Sequence, residues 1–387
     1  MIQDHLPVSR RRLAYLECAR GVASVIVILH HFFLAFYPSV KAPVSSGGLK
    51  FTPLYLFMNG EGVVAFFFVL SGFVLTVKLH QGFSLEALLS SIVKRLPRLA
   101  VPVGASVILG FLVLRFTGDQ YALAASLNRS AWLQSFGNAH FPLSFEPSLP
   151  DALRQSLVVF LRPYDFYYNS NLWTMGPEFY GSMVAFLIVA LTGLFKARRG
   201  LLAAVAHGGL VIAFLVFFPP LVPFFAGSYL AFLWANRKTA LEISAAPTMA
   251  LLIGGALGLS FANWVVNTLA SLSFMIALLG NRALAGHLSG RLAALLGMLS
   301  FPLYLVHAPV ILSASSFVYV QLSAAGAPDP AVGLLTLAAT LLASGLVCIP
   351  FVFLDSSWAG WLNAAVRRLV GSVLAACRNR AAAHPTR

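Results

Sequence analysis

Long apolar stretches separated by short polar segments run along most of the chain. A helix needs about 20 mostly apolar residues to cross the hydrocarbon core of a bilayer. The pattern therefore predicts an all-α polytopic membrane protein with about ten transmembrane helices. The boundary between the seventh and eighth stretches depends on the pentapeptide NWVVN alone. The ten stretches are 13–36, 57–78, 98–117, 172–195, 200–218, 220–236, 247–266, 267–286, 292–314 and 331–354.

Composition supports a membrane protein and excludes an ordinary soluble domain. The chain is 59% hydrophobic and 10% charged, whereas a soluble domain is about 25% charged. Its cysteines lie at 18, 348 and 377, without paired spacing, so we expect neither a disulfide framework nor a metal site. The arginines at 10–12 precede the first stretch in the manner of a signal peptide. That stretch is too long for a signal peptide, so we interpret it as a retained first helix.

The distribution of Lys and Arg predicts the orientation of the chain, because cytoplasmic loops of membrane proteins carry an excess of both. Starting with a cytoplasmic N-terminus, 19 of the 26 Lys and Arg residues fall on the cytoplasmic side and six outside, with Arg20 inside the first stretch. We therefore expect both termini to be cytoplasmic. The net charge of +14 then reflects topology and requires no nucleic-acid partner.

Two segments outside the predicted membrane helices have compositions that predict specific structures. The outer loop 118–171 is rich in aromatic residues, Ser, Asn and Pro, and loops of this length often act as lids. The segment 357–387 places Trp and Leu on one helical face and Arg on the other, as interfacial helices do. We divide the chain into a transmembrane domain, 1–356, and a basic cytoplasmic amphipathic tail, 357–387; a solvated tail is the alternative.

Ionisable residues in the first stretch point to a function, since they are costly inside a membrane. Arg20 and His31 are eleven residues apart, which places them within about 20° of one helical face and about 16 Å apart along the axis. His30 points about 100° away from His31. The alternatives are an Arg20 that snorkels to the inner headgroups or pairs with Glu17, and a His31 that serves packing.

Further polar residues occur at the predicted outer ends of other helices. Glu178 and Trp173 lie at the start of the fourth helix, and Glu61 lies at the edge of the second, where it either reaches a substrate or faces water. In the ninth helix, Ser300, Tyr304 and His307 share one face. Packing or pairing within the core is the alternative role for Glu178 and His307.

Depth along the helices separates these residues into two groups. His31, Glu178 and His307 fall in the outer half of the membrane, and the basic residues Arg20, Lys94, Arg95 and Arg98 fall near its inner face. Arginine binds phosphate through two hydrogen bonds at once, and histidine deprotonates hydroxyl groups near neutral pH. The arrangement indicates an anionic cytoplasmic donor whose transferable group moves outward.

Five segments then resemble motifs of one known family, the acyltransferase-3 family of integral membrane O-acyltransferases. Arg20 and His31 in ARGVASVIVILHHFF keep the spacing of the family's LDGLRGxAxxxVxxxH pattern. FFFVLSGFVL, KRLPRLAVP, LWTMGPEFY and LSFPLYLVHAP follow in the family's order, so the resemblance covers roughly residues 12–356. Glu17 stands where the family commonly has Asp, and Ala65 where many members have Asp.

The resemblance implies transfer of an acyl group, commonly acetyl, from a coenzyme A thioester to a hydroxyl of a sugar, polysaccharide or glycolipid. It also implies a multi-pass protein of the bacterial inner membrane. We expect Arg20, Arg95 and Arg98 to bind the coenzyme A phosphates. His31 is then the general base or a transient acyl carrier, and Glu178 orients His31 or the acceptor. Trp173, Tyr304 and His307 are expected to bind the acceptor.

A transporter or channel is the alternative from a different class. Its intramembrane His and Glu residues would form a proton or solute path. The sequence has no evident inverted repeat and no matching pair of helices interrupted by Gly or Pro, which transporters often contain. A sensor that has lost catalysis is a weaker alternative, since Arg20 and His31 are both retained.

Overall fold

The computed structural model describes residues 14–138, 145–162, 166–239 and 241–383, so the arginines at 10–12 lie outside the described residues. Within these ranges the chain forms helices and no β-strand. The α-helices are α1 Ala14–Phe36, α2 Gly60–Gln81, α3 Leu85–Phe116, α4 Gln120–Asn128, α5 Ala131–Gln134, α6 Leu149–Val158, α7 Met175–Leu194, α8 Arg199–Phe217, α9 Val222–Asn236, α10 Ala245–Gly258, α11 Trp264–Gly280, α12 Arg282–His287, α13 Arg291–Val310, α14 Ser316–Ala324 and α15 Asp329–Ala383.

Seven helical segments are long and apolar enough to cross a membrane, which confirms the all-α polytopic architecture. They contain α1, α2, α3, α7, α8, the α13–α14 pair and α15. The other three predicted stretches form the shorter helices α9, α10 and α11, of 15, 14 and 17 residues. A 14-residue helix is about 21 Å long, less than the hydrocarbon thickness of about 30 Å. The total of ten crossings stays a prediction.

The predicted boundary between the seventh and eighth stretches is wrong by several residues. The structure ends α10 at Gly258 and begins α11 at Trp264. Asn263 decides the position, because its Oδ1 accepts hydrogen bonds from the backbone N–H groups of Val265 and Val266. Such an N-cap satisfies N–H groups that the helix itself leaves without partners.

Helices α1 and α13 run parallel and in close contact at the centre of the protein. A Cβ atom added at Gly21 would lie 2.5 Å from the Cβ of Leu296, and one added at Gly297 would lie 2.6 Å from the Cβ of Glu17. Small residues let two helices approach this closely within a membrane. The close approach brings the predicted polar face of α1 against that of α13.

Helix α15 continues through the predicted boundary at 356 without interruption. It has 55 residues and is about 80 Å long. Beyond Asp355 it packs along the first half of α3, where Trp358 Nε1 donates to the Pro97 carbonyl at 2.7 Å and Lys94 Nζ donates to Asn363 Oδ1 at 3.1 Å. The tail is thus helical as far as Ala383 and contacts α3; its place at the inner leaflet stays a prediction.

The described part of the outer loop 118–171 is folded against the helical bundle. It contains α4, α5 and α6, and its side chains Phe136, Phe160 and Tyr168 are almost fully buried. A 3-10 helix, Ser170–Thr174, connects the loop to α7. The loop therefore supplies residues to the interior of the protein, where the candidate site lies.

Candidate active site

Pro309, two residues after His307, interrupts the backbone hydrogen bonds of α13. Pro309 has no N–H group, so the carbonyl of Leu305, four residues earlier, cannot form its helical hydrogen bond. Ser106 Oγ donates to that carbonyl at 3.0 Å and Asn169 Nδ2 at 2.8 Å. A π-helical turn, Ile311–Ser315, follows directly, and such turns are frequent at functional sites.

His307 is completely buried and has hydrogen-bond partners on both ring nitrogens. Its Nδ1 lies 2.9 Å from the Leu303 carbonyl, which only accepts, so Nδ1 carries the hydrogen. Its Nε2 therefore has the lone pair, and the side-chain amide of Asn171 donates to it at 3.0 Å. The partners thus assign one tautomer to the ring.

His31 lies beside His307, with ring centroids 5.0 Å apart. Its Nδ1 is 3.0 Å from the Val27 carbonyl and 3.1 Å from the Nε2 lone pair of His307. Both neighbours accept hydrogen bonds, so Nδ1 carries the hydrogen and Nε2 has the free lone pair. None of the described residues bonds to that Nε2, and the side chain is only partly buried. The arrangement leaves Nε2 without a hydrogen-bond partner among the described residues.

Tyr304 lies one turn before His307 in α13, and its ring packs beside that of His307. Its hydroxyl donates to the backbone carbonyl of Asn171 and lies 2.6 Å from Thr174 Oγ1. Tyr304 is almost fully buried, and its ring centroid is 6.0 Å from that of His307. The hydroxyl therefore holds the segment that presents the Asn171 amide to His307.

Two tryptophans near the site have different surroundings. Trp132, from α5 in the outer loop, lies over His31 with ring centroids 5.3 Å apart. Trp173, the residue predicted to bind the acceptor, packs instead on an apolar cluster that includes Phe68 and Phe224. The outer loop thus reaches the histidine pair through Trp132.

Each arginine predicted to bind phosphate is paired with a carboxylate. Arg20 lies 2.6 Å from Glu17 and also donates to Ser300 Oγ at 2.7 Å and to the Gly297 carbonyl at 3.1 Å. The Glu17 alternative is therefore formed in the structure, with side chains 37% and 44% exposed. The other two pairs are Arg98 with Asp355, through two hydrogen bonds, and Arg95 with Glu178.

Glu178 is paired with Arg95, and among the described residues no hydrogen bond joins it to His31 or His307. It is in the first turn of α7, where its carboxylate bonds to Arg95, and Arg95 Nε also donates to Ser182 Oγ at 2.8 Å. The two charged side chains are only 11% and 13% exposed. Arg95 and Glu178 therefore meet at one depth, which corrects the predicted separation of these two residues into inner and outer groups.

His30 faces a second polar cluster, on the side away from His307. Its Nδ1 lies 2.9 Å from the Gly60 nitrogen, 2.6 Å from the Met58 carbonyl oxygen and 2.6 Å from Lys41 Nζ, which also donates to that carbonyl at 2.6 Å. The His30 and His31 rings meet edge to face at 4.8 Å. The two adjacent histidines thus have different hydrogen-bond partners, although their rings are in contact.

Lys41 is expected to titrate near neutrality. Burial lowers its pKa to about 7; Lys50 lowers it further, and Glu61 acts in the opposite direction. We expect trace labelling with acetic anhydride, followed by mass spectrometry, to give a midpoint near pH 7 for Lys41 in the folded protein. In denatured protein the midpoint should return toward 10.5. The folded state favours the neutral amine, so the unfolded chain binds more protons at this lysine. The free energy of unfolding therefore increases as the pH rises from 7 to 10.5. A folded-state midpoint above 9 would contradict the burial of Lys41.

Several residues of the site could not be identified from the sequence alone. Asn171 and Thr174 stand in the quoted NSNLWT segment, but nothing distinguished them from ordinary loop residues. Trp132 and Asn169 reach the site only through tertiary contacts. No group of three His, Cys, Asp or Glu side chains suited to a metal ion occurs within the described ranges.

Comparison with known proteins identifies the family of the chain. The family model described as an acyltransferase domain matches residues 13–354, nearly the whole chain. No curated protein and no solved structure matches the chain significantly. The matched region includes His31, His307 and the three arginines, and it ends one residue before Asp355, the partner of Arg98. The chain belongs to the acyltransferase-3 family of membrane acyltransferases.

Proposed function

We propose that this protein transfers an acyl group, most simply acetyl, from a coenzyme A thioester to a hydroxyl of a sugar, polysaccharide or glycolipid. We place it in a bacterial inner membrane, with the donor arriving from the cytoplasm. The proposal rests on the hydrogen bonding of the two ring nitrogens of His31. Its Nδ1 is bonded to Val27 and His307, which leaves Nε2 with a free lone pair. A general base needs such a nitrogen within reach of a hydroxyl.

His31 acts directly on the acceptor in this proposal. Nε2 takes the proton as the hydroxyl oxygen attacks the thioester carbonyl; the carbon–sulfur bond then breaks, and the thiolate leaves with that proton. His307 fixes the tautomer of His31 and stabilises the imidazolium that forms, as the third member of a catalytic triad does. Acyl transfer through His31 itself is the second route, and trapping of an acyl-protein separates the two.

The phosphates of the donor are assigned to Arg20 and Arg98. Both side chains are partly exposed, at 37% and 33%, and their carboxylate partners can exchange for phosphate, which guanidinium groups bind in the same forked geometry. Arg95 is nearly buried, and its guanidinium bonds to Glu178 and Ser182. We therefore assign Arg95 and Glu178 to the support of α3 and α7 around the donor path.

Binding of acetyl-coenzyme A to the purified full-length protein tests the donor assignment. We expect Arg20→Ala to weaken binding about 10-fold or more, since a charge-assisted hydrogen bond contributes about 1.5–3 kcal/mol. Glu17→Gln should leave binding equal or tighter, because it removes the carboxylate that competes for Arg20. Arg115→Ala, at the opposite end of α3, is the matched control. Isothermal titration calorimetry measures all four proteins.

Two results would contradict the assignment. If Arg20→Ala binds the donor as wild type does, Arg20 serves only its contacts with Glu17 and Ser300. If folded wild-type protein binds none of several acyl-coenzyme A species, the donor class is wrong. The proton-coupled transporter or channel then becomes the leading function, and proton flux in proteoliposomes is the measurement that follows.

A further inference from the structure

A second polar surface lies at the outer ends of three helices, apart from the histidine pair. A cleft of about 400 Å³ is lined by Glu61 of α2, Leu215 of α8, Pro219, and Asn263 and Trp264 at the start of α11. The Lys and Arg distribution predicts that these helix ends face outward. Ligand pockets have roughly 300–1,000 Å³ of space, so the cleft is large enough for a sugar ring.

The polar groups of the cleft have hydrogen-bonding capacity left over. Within the described ranges, no side chain or backbone group bonds to the Glu61 carboxylate, to Asn263 Nδ2 or to the indole nitrogen of Trp264. The Asn263 oxygen, in contrast, is used to cap α11. Residues that supply one acidic acceptor, one amide donor and one indole donor therefore line the same cleft.

This combination favours a neutral polyhydroxylated ligand. A carboxylate accepts from two neighbouring hydroxyls at once, the amide and indole N–H groups donate to hydroxyl or ring oxygens, and an aromatic surface packs on the apolar face of a sugar ring. A phosphate group is disfavoured, because Glu61 is negative and no Lys or Arg stands among the residues that line the cleft.

The cleft is connected to the histidine pair by a short series of contacts. Glu61 directly follows Gly60, whose N–H donates to His30 Nδ1 at 2.9 Å. The His30 ring in turn contacts the His31 ring at 4.8 Å between centroids. Glu61 and the base His31 are thus separated by Gly60 and the His30 side chain.

We propose that the cleft binds a sugar unit of the acceptor that is not itself acylated. The inference rests on the proposed function, and it narrows the acceptor class: the substrate has at least two linked sugar units, one at Glu61 and Trp264 and one whose hydroxyl reaches His31. A monosaccharide would leave the cleft empty while its hydroxyl is at His31, and it would bind more weakly.

A glycan array with the detergent-purified full chain tests the proposal without requiring turnover. We expect wild type to bind oligosaccharides in preference to the matching monosaccharides, and Glu61→Gln to reduce that binding about 10-fold. Trp264→Phe is the second variant, since it keeps an aromatic ring but removes the N–H donor. Glu86→Gln, the same change at an exposed position at the start of α3, is the control and should bind as wild type does.

The outcomes separate this proposal from the proposed function. If Glu61→Gln binds every glycan as wild type does, or if wild type binds none, the cleft is not an acceptor subsite, whatever the result with acetyl-coenzyme A. If glycan binding depends on Glu61 but wild type cleaves no acyl-coenzyme A, the subsite stands and the acyl-transfer proposal fails. Equal loss in Glu61→Gln and Glu86→Gln would also overturn the subsite.

Discussion

Replacing His31 with alanine is expected to lower turnover about 10³-fold while leaving donor affinity within a factor of about two. General bases contribute typically 10²–10⁴-fold to rate, and the ring of His31 lies about 16 Å along the helix from Arg20, so its loss leaves the phosphate contacts intact. Transfer of radiolabelled acetyl from coenzyme A measures turnover, and calorimetry on the same samples measures affinity.

His30→Ala is the matched control for this prediction. His30 is the adjacent histidine, but it faces Lys41 and Gly60 instead of His307. We expect it to keep most of the activity. Equal losses from the two substitutions would indicate a general disturbance of α1, and normal turnover in His31→Ala would remove the base from the mechanism.

His307 adds a test that a purely structural role would not satisfy. His307→Gln keeps a polar side chain but removes the paired ring nitrogens that bond to Leu303 and to His31. Because His307 positions His31, we expect kcat to fall with little change in donor affinity, and the pH dependence of kcat to move. An unchanged pH profile together with lost stability would assign His307 to packing alone.

Removing Glu178 is expected to cost about 3–5 kcal/mol of stability, because Arg95 would remain buried without a counter-charge. Both side chains are nearly buried in the structure. Glu178→Ala, followed by equilibrium unfolding in detergent, measures the loss. The control is Glu242→Ala, which breaks the exposed pair with Arg282, 61% and 82% exposed; exposed pairs contribute about 0–1 kcal/mol.

A double variant then decides whether the pair has a role beyond stability. Arg95→Met with Glu178→Leu replaces both charges by apolar groups of similar size, which is often neutral or stabilising. We expect it to recover most of the stability lost in Glu178→Ala. Recovery of activity as well would limit the pair to support of α3 and α7, whereas stable but inactive protein would place one of the two residues in the chemistry.

The polar positions of single helices were predictable because helical periodicity is a local property. The spacing of Arg20 and His31 predicted one shared face, and both residues do contact α13. The spacing of Ser300, Tyr304 and His307 likewise predicted a shared face, and the structure buries all three side chains. Only the 3.6-residue repeat is needed for such predictions.

Partners between helices were not predictable in the same way. Nothing in the local sequence pairs Glu178 with Arg95 or Asp355 with Arg98, since these contacts join residues 83 and 257 positions apart. Counting positions along the apolar stretches placed Arg95 near the inner face of the membrane and Glu178 in its outer half. The structure pairs the two side chains instead. The packing angle of α3 against α7 and the reach of the side chains decide that contact, and neither follows from hydropathy.

The sequence by itself determined the all-α polytopic architecture and the helix faces that carry Arg20, His31 and His307, because these depend on composition or on local periodicity. The family was indicated by the resemblance of five segments to its motifs. Only the tertiary structure decided which nitrogen of His31 is free, through the bonds of His307 to Leu303 and Asn171. It also decided that three arginines are paired with carboxylates, and that Glu61 shares a cleft with Trp264. The physical reason is that hydrogen-bond partners are set by the docking of helices distant in sequence, which no local pattern encodes.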